Sequence, residues 1–196
     1  TLNVAPTVNG ALAIGAGAAL ATNTNALTLR GNFTNLGTFT AGSSNITITG
    51  TVAQNIAGFT TTGTVFMTKT AGTATLTGSL NAANLTINGA GGTLNLGAGL
   101  THTITGTWTR TNGTLNGGSS TLNLGGTVAG AGGTFTANTG TVRYNGAGNQ
   151  TVAGLTYYNL STSTGGVKTL GAAAVIGRNL TIGVGTTLDV SATNYA

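Results

Sequence analysis

The chain has 196 residues, a length that suits one domain, and only 4% of them are charged, against roughly 25% in ordinary globular proteins. Its net charge of +5 comes from six scattered cations, Arg30, Lys69, Arg110, Arg143, Lys168 and Arg178, and so excludes the clustered basic face that nucleic-acid binding needs. The absence of cysteine excludes a disulfide framework and thiolate metal sites, and no apolar run approaches the ~18 residues of a membrane-spanning helix.

From the amino terminus, the Ala-rich stretch 10–21 is the one place that invites a helix. Gly15 and Gly17 would each cost about 1 kcal/mol in a helix interior, so the stretch is read as strand. Short apolar–polar–apolar runs follow along the chain: Leu27-Thr28-Leu29, Ile46-Thr47-Ile48, Leu85-Thr86-Ile87, Leu94-Asn95-Leu96, Leu122-Asn123-Leu124, Val142-Arg143-Tyr144 and Leu188-Asp189-Val190. In a strand each run puts two apolar side chains on one face and a polar one on the other. Asn88-Gly89, Asn112-Gly113, Gly117-Gly118-Ser119-Ser120 and Asn145-Gly146 supply the corners between runs. The alternation predicts that Leu29, Ile46, Ile48, Leu85, Ile87, Leu94, Leu96, Leu122, Leu124, Val142, Leu180 and Ile182 point inward. Thr28, Thr47, Thr86, Asn95, Asn123 and Thr181 should point out.

Internal repetition decides how these strands are arranged. Gly37-Thr38-Phe39-Thr40-Ala41 matches Gly133-Thr134-Phe135-Thr136-Ala137 at an offset of about 96, and the match runs on to Gln54 and Gln150. A second offset, about 76, places Gly42-Ser43-Ser44 on Gly118-Ser119-Ser120, and a third, about 168, places Leu12, Ile14 and Leu20 on Leu180, Ile182 and Leu188. Read as three, four and seven turns of one coil, the offsets predict coils of roughly 20–25 residues. The expected fold is all-β: a right-handed parallel β-helix, or β-solenoid, of about eight coils with about three short strands each. No helix should exceed two turns. A membrane β-barrel would need longer strands and aromatic girdles, and aromatics are only 5% here. Residues 1–196 form a single solenoid in this reading. It is either a window of a longer tandem array or a filament subunit that stacks, because neither end reads as a polar capping repeat.

Chemistry is scarce. Asp189 is the only acid and His102 the only histidine, so neither the paired carboxylates of a glycosidase nor a cation site can be built. Asp189 is expected as a solvent-facing strand residue and His102 as an ordinary strand residue between Thr101 and Thr103. The stretch 89–92 has glycine but no following Lys-Ser/Thr, so it is no phosphate loop. The chain is therefore expected to be no enzyme, with no catalytic residue, cofactor or metal. Thr-x-Thr recurs, as in Thr47-Ile48-Thr49 and Thr134-Phe135-Thr136, but without one fixed place in every coil. Trp108 is assigned to the core. Tyr157 and Tyr158, being adjacent in a strand, must put one ring outward, which makes the pair the candidate for lateral contact.

The segments Gly31-Asn32-Phe33-Thr34-Asn35-Leu36-Gly37-Thr38-Phe39-Thr40, Gly140-Thr141-Val142-Arg143-Tyr144-Asn145-Gly146 and Asn149-Gln150-Thr151-Val152 resemble repeats of large bacterial surface proteins. These are the filamentous-haemagglutinin-like and autotransporter-passenger-like β-helical stalks. The resemblance implies an exported, cell-surface or secreted adhesin stalk or matrix fibre, and it transfers no functional residue. The expected partners are copies of the chain end to end, and other cell surfaces or polysaccharide. No nucleic acid and no membrane insertion are expected. The alternative is a binding module for ice, carbohydrate or a neighbouring cell, presented on a Thr-rich face.

Overall fold

The computed structural model describes residues 1–191 as an all-β coil of about nine turns, with parallel strands throughout and no helix. Each turn runs over three faces. Face one holds Thr7–Val8, Leu27–Leu29 and Ile46–Ile48, and face two holds Leu12–Ile14, Phe33–Asn35, Gln54–Ile56 and Thr73–Leu76. Face three holds Ala19–Ala21, Thr38–Thr40, Thr101–Ile104, Thr121–Leu124 and Thr141–Tyr144. Longer ribbons such as Leu80–Asn95 and Trp108–Asn116 bend through the corners and serve more than one face. Every paired strand runs parallel to the one a turn later, which only a coil of short crossovers allows.

Vertical register makes the core. Leu27, Ile46, Val65, Leu85 and Trp108 lie over one another in one inward row of face one. On face three, His102, Leu122, Val142 and Leu160 do the same. These side chains are buried, each aliphatic one contributing about 1.5–3 kcal/mol through removal from water. Phe33, Phe39 and Phe59 meet edge to face, 5.2–6.3 Å apart, where faces two and three converge. Corners close through local hydrogen bonds. Gly37, Gly97 and Gly118 donate their backbone N–H to the side-chain oxygens of Asn35, Asn95 and Asn116 at 3.2, 2.9 and 2.8 Å, the turn that asparagine favours.

Ten of the twelve expected core residues are buried, and Thr28, Thr47, Thr86, Asn95, Asn123 and Thr181 lie on the outer side. The exceptions are Leu180 and Ile182. Both occupy inward register, above Leu160 and Thr162, yet they are 47% and 51% exposed. They lie in the last described coil, whose far side has nothing stacked upon it among the described residues.

The coil lies at the short end of the expected range of roughly 20–25 residues. Register partners lie 18 to 24 residues apart, most often about 20. The sequence offsets are therefore not whole turns. Thr38–Thr40 is on face three and its match Thr134–Thr136 on face two; Ile46–Ile48 is on face one and its match Val142–Tyr144 on face three. Leu12–Ile14 is likewise on face two, whereas Leu180 and Ile182 are on face three. Each offset is off by a third of a turn. The repeating unit of the sequence is one strand with its corner, and all three faces accept it.

Candidate functional site

Four places could do something beyond holding the coil together. The first is the tyrosine pair. Tyr157 is buried, its hydroxyl 3.0 Å from that of Tyr144 and donating to the Ala153 carbonyl at 2.6 Å. Burial pushes its phenol pKa far above the usual range. Only Tyr158 faces outward, and Arg178 lies against it: the guanidinium carbon is 5.8 Å from the ring centroid, and one guanidinium nitrogen donates to the hydroxyl at 3.0 Å. The outward member of the pair is thus already partnered within its own chain.

The second place is a pair of buried amine corners, which composition gave no reason to expect. Lys69 and Lys168 are completely buried. The Lys69 ammonium donates to the carbonyls of Gly50 and Val52 at 3.3 and 2.8 Å and to Gln54 Oε1 at 2.8 Å. Gln54 in turn donates to the Gly31 carbonyl at 2.8 Å. Lys168 donates to Gly146 and Gly148 at 2.6 and 2.8 Å, while Gln150 donates to Leu124 and Gly126, both at 2.9 Å. The two corners are copies of one device: a Gly-x-x-x-Gln turn whose carbonyls are capped by a lysine further along the chain. Burial lowers both lysine pKa values. The signal was present in the sequence, where the offset of about 96 superposes Gly50 and Gln54 on Gly146 and Gln150. Each ammonium holds only corner acceptors of its own chain: backbone carbonyls and, for Lys69, the Gln54 side-chain oxygen.

The third is His102, which points inward. Its Nδ1 accepts the Leu80 N–H at 3.0 Å, so the proton must reside on Nε2, which donates to the Leu96 carbonyl at 2.8 Å. Burial lowers its pKa, with the Leu96 hydrogen bond opposing. As pH falls, the unfolded chain takes up the proton first, near its ordinary value of 6.5. The stability held by the neutral ring is complete above that value, declines as pH drops below it, and levels off beneath the folded value. Urea midpoints measured at pH 7.5 and 5 should show the acid loss in the wild type and a flat response in His102→Leu. Asp189, the only acidic side chain, is half-buried and hydrogen-bonded to Ser191, which lowers its carboxyl pKa.

The fourth is the outer surface of face two. Thr73, Thr93, Thr114 and Thr134 stack in one outward column, and Thr75, Asn95, Asn116 and Thr136 in the next. Across four successive coils the threonine position is kept, a regularity that the sequence alone did not display. The two columns are two residues apart along the strands, and the coils are about 4.8 Å apart.

The geometry defines a class, an all-β parallel solenoid of about nine turns. The chain matches no protein-family model, no curated protein and no solved structure.

Proposed function

We propose that this chain is a structural, non-enzymatic solenoid whose coils continue head to tail into an extracellular filament, matrix fibre or adhesin stalk. One observation carries the reading. Of the eight large apolar residues that are exposed among the described residues, five lie in the last coil: Val175, Leu180, Ile182, Val184 and Val190. Leu180 and Ile182 stand in rows that are filled with core side chains in the coils beneath. The outer edges of Val175–Ile182 and Thr187–Asp189 carry unpaired backbone groups among the described residues. An apolar surface bordered by a free parallel edge is the surface another coil covers, whether that coil continues the same chain in a longer array or belongs to a second copy. The contact joins two different surfaces, so it propagates instead of closing. Low charge leaves little repulsion to oppose it. The resemblance to bacterial surface stalks supports the extracellular setting.

Sedimentation and electron microscopy test this. The wild type should form rods that lengthen with concentration. Leu180→Lys with Ile182→Lys should weaken association by ~100-fold or more, because each junction would then bury uncompensated charge. Wild-type protein that stayed monomeric at high concentration would sink the proposal. The threonine columns of face two would then favour the second reading, a module that binds a repetitive surface such as ice or carbohydrate.

A further inference from the structure

A further feature, independent of the fibre reading, is chemical and concerns the three Asn-Gly pairs, Asn88-Gly89, Asn112-Gly113 and Asn145-Gly146. Glycine after asparagine leaves the next backbone nitrogen without a side chain to shield it. That nitrogen can then reach the carboxamide carbon, one reason asparagine is thermolabile. The structure treats the three pairs differently.

At Asn145 the nitrogen is directed elsewhere. The Gly146 N–H donates to Gln150 Oε1 at 2.8 Å, within the second lysine corner, and Asn145 is half-buried with its Oδ1 enclosed. At Asn88 the side chain is exposed, but Gly89 is buried and wedged on the Lys69 backbone of the coil beneath. Asn112 is exposed and Gly113 only half-buried. Here the Gly113 N–H donates to Oδ1 of Asn112 itself, at 2.9 Å. The acceptor is bonded to the very carbon that the nitrogen must attack, so the two reacting atoms are held together. Asn112 and Gly113 also line an open groove of about 340 Å³ with Ala90, Gly91 and Gly133. Water and solvent base reach the pair through it.

We infer that Asn112 is a self-modification site, converted with water as co-reactant to aspartyl and isoaspartyl residues. Solvent base removes the proton of the Gly113 nitrogen. The nitrogen bonds to Cγ of Asn112, the Cγ–Nδ2 bond breaks, and Nδ2 takes up a proton and leaves as ammonia. Water then opens the five-membered imide at either carbonyl. Opening at Cγ restores the ordinary chain with aspartate in place. Opening at the backbone carbonyl leaves the chain running through Cγ, one methylene longer. Either way one water is consumed, one ammonia is released, and nothing is oxidised or reduced. Both products add a carboxylate to a chain whose sequence has one acid, Asp189. The longer product also disturbs the stack, because the residues after Gly113 pair with Thr93–Asn95 on one side and Thr134–Thr136 on the other.

Incubation of the folded protein at pH 8.5, followed by peptide mapping with mass spectrometry, tests this. Asn112 should convert faster than Asn88 and at least ~10-fold faster than Asn145, the effect of holding the reacting atoms together at one pair and apart at the other. Aspartyl and isoaspartyl fragments should both appear, and the rate should rise with pH because the nitrogen must lose its proton. In urea, where the hydrogen bonds of the fold are gone, the three rates should converge. Conversion at Asn112 no faster than at the other two pairs in the folded protein would overturn the inference. So would an aspartyl product alone, which marks direct hydrolysis of the side-chain amide, or an advantage of Asn112 that persists undiminished in urea.

Discussion

Replacing Lys69 with alanine is expected to destabilise the solenoid by about 3–5 kcal/mol, the scale seen when one partner of a buried polar pair is removed. The ammonium is the shared donor for Gly50 O, Val52 O and Gln54 Oε1, and the Lys69 side chain is fully buried beneath the corner. Truncation leaves three acceptors facing a dry cavity. Lys69→Met keeps the volume of the stem and should recover only the part of the loss that comes from the cavity. Combining Lys69→Met with Gln54→Leu removes the side-chain acceptor as well, and should be less damaging than the sum of the two single changes. Lys168→Ala should behave alike, because its corner repeats the same pattern on a different face. Chemical denaturation of the five variants measures all of this. A loss below about 1 kcal/mol for Lys69→Ala would mean that the corner carbonyls reach water and that the ammonium does not hold them.

Gly118→Ala should cost more than about 3 kcal/mol, and Gly99→Ala only about 1–2. Both glycines have left-handed backbone, with φ +56° and φ +67°, and alanine there costs about 1–2 kcal/mol for conformation alone. The difference lies in the stack. A methyl group on Gly118 would fall on the Gly97 carbonyl of the neighbouring coil, whereas one on Gly99 meets nothing within 4 Å. Coils held by parallel hydrogen bonds about 4.8 Å apart cannot separate locally without breaking several of them. Thermal denaturation of the two variants separates the conformational penalty from the packing clash. Equal losses would show that the corner of Gly118 can move outward to accommodate the methyl.

Much of the architecture was legible in the residues. Alternation in Leu27-Thr28-Leu29 or Leu122-Asn123-Leu124 specifies which side of a strand is dry, because side chains on a strand alternate with period two whatever the strand packs against. Asn112-Gly113 and Gly117-Gly118 mark corners for an equally local reason, the positive φ that glycine tolerates, whereas Gly89 and Gly146, expected alike, keep ordinary backbone. Repetition then selected a coil over a meander. The coil length fell within the expected range of roughly 20–25 residues, but the offsets were misread as whole turns, and the reason is physical. Three faces built from the same strand-and-corner unit make segments a third of a turn out of phase look alike, so matched segments such as Thr38–Thr40 and Thr134–Thr136 are not vertical neighbours.

The candidate sites were less legible, since each depends on what lies one turn away. His102 sits between two threonines, a setting that tells nothing of the Leu80 amide and Leu96 carbonyl that hold it. Lys69 and Lys168 are only two of six scattered cations in the sequence, and their burial shows only when the carbonyls of the coil beneath are seen to surround them. Asn112-Gly113 and Asn145-Gly146 read alike until the partner of each glycine amide is seen. Tyr157 and Tyr158 were correctly expected to face opposite ways, but not that Arg178, a turn later, would occupy the outward ring. By itself, then, the sequence determined the strands, their dry sides, the corners and the stacking of like on like, all consequences of local backbone preference and period-two alternation. Only the tertiary structure decided which strand lies over which, and with it the buried amines, the inward imidazole, the open groove beside Asn112 and the uncovered apolar end. Contacts across a turn depend on the residue count of every corner between, and a change of one or two residues in a corner moves a side chain to another neighbour without altering the local pattern.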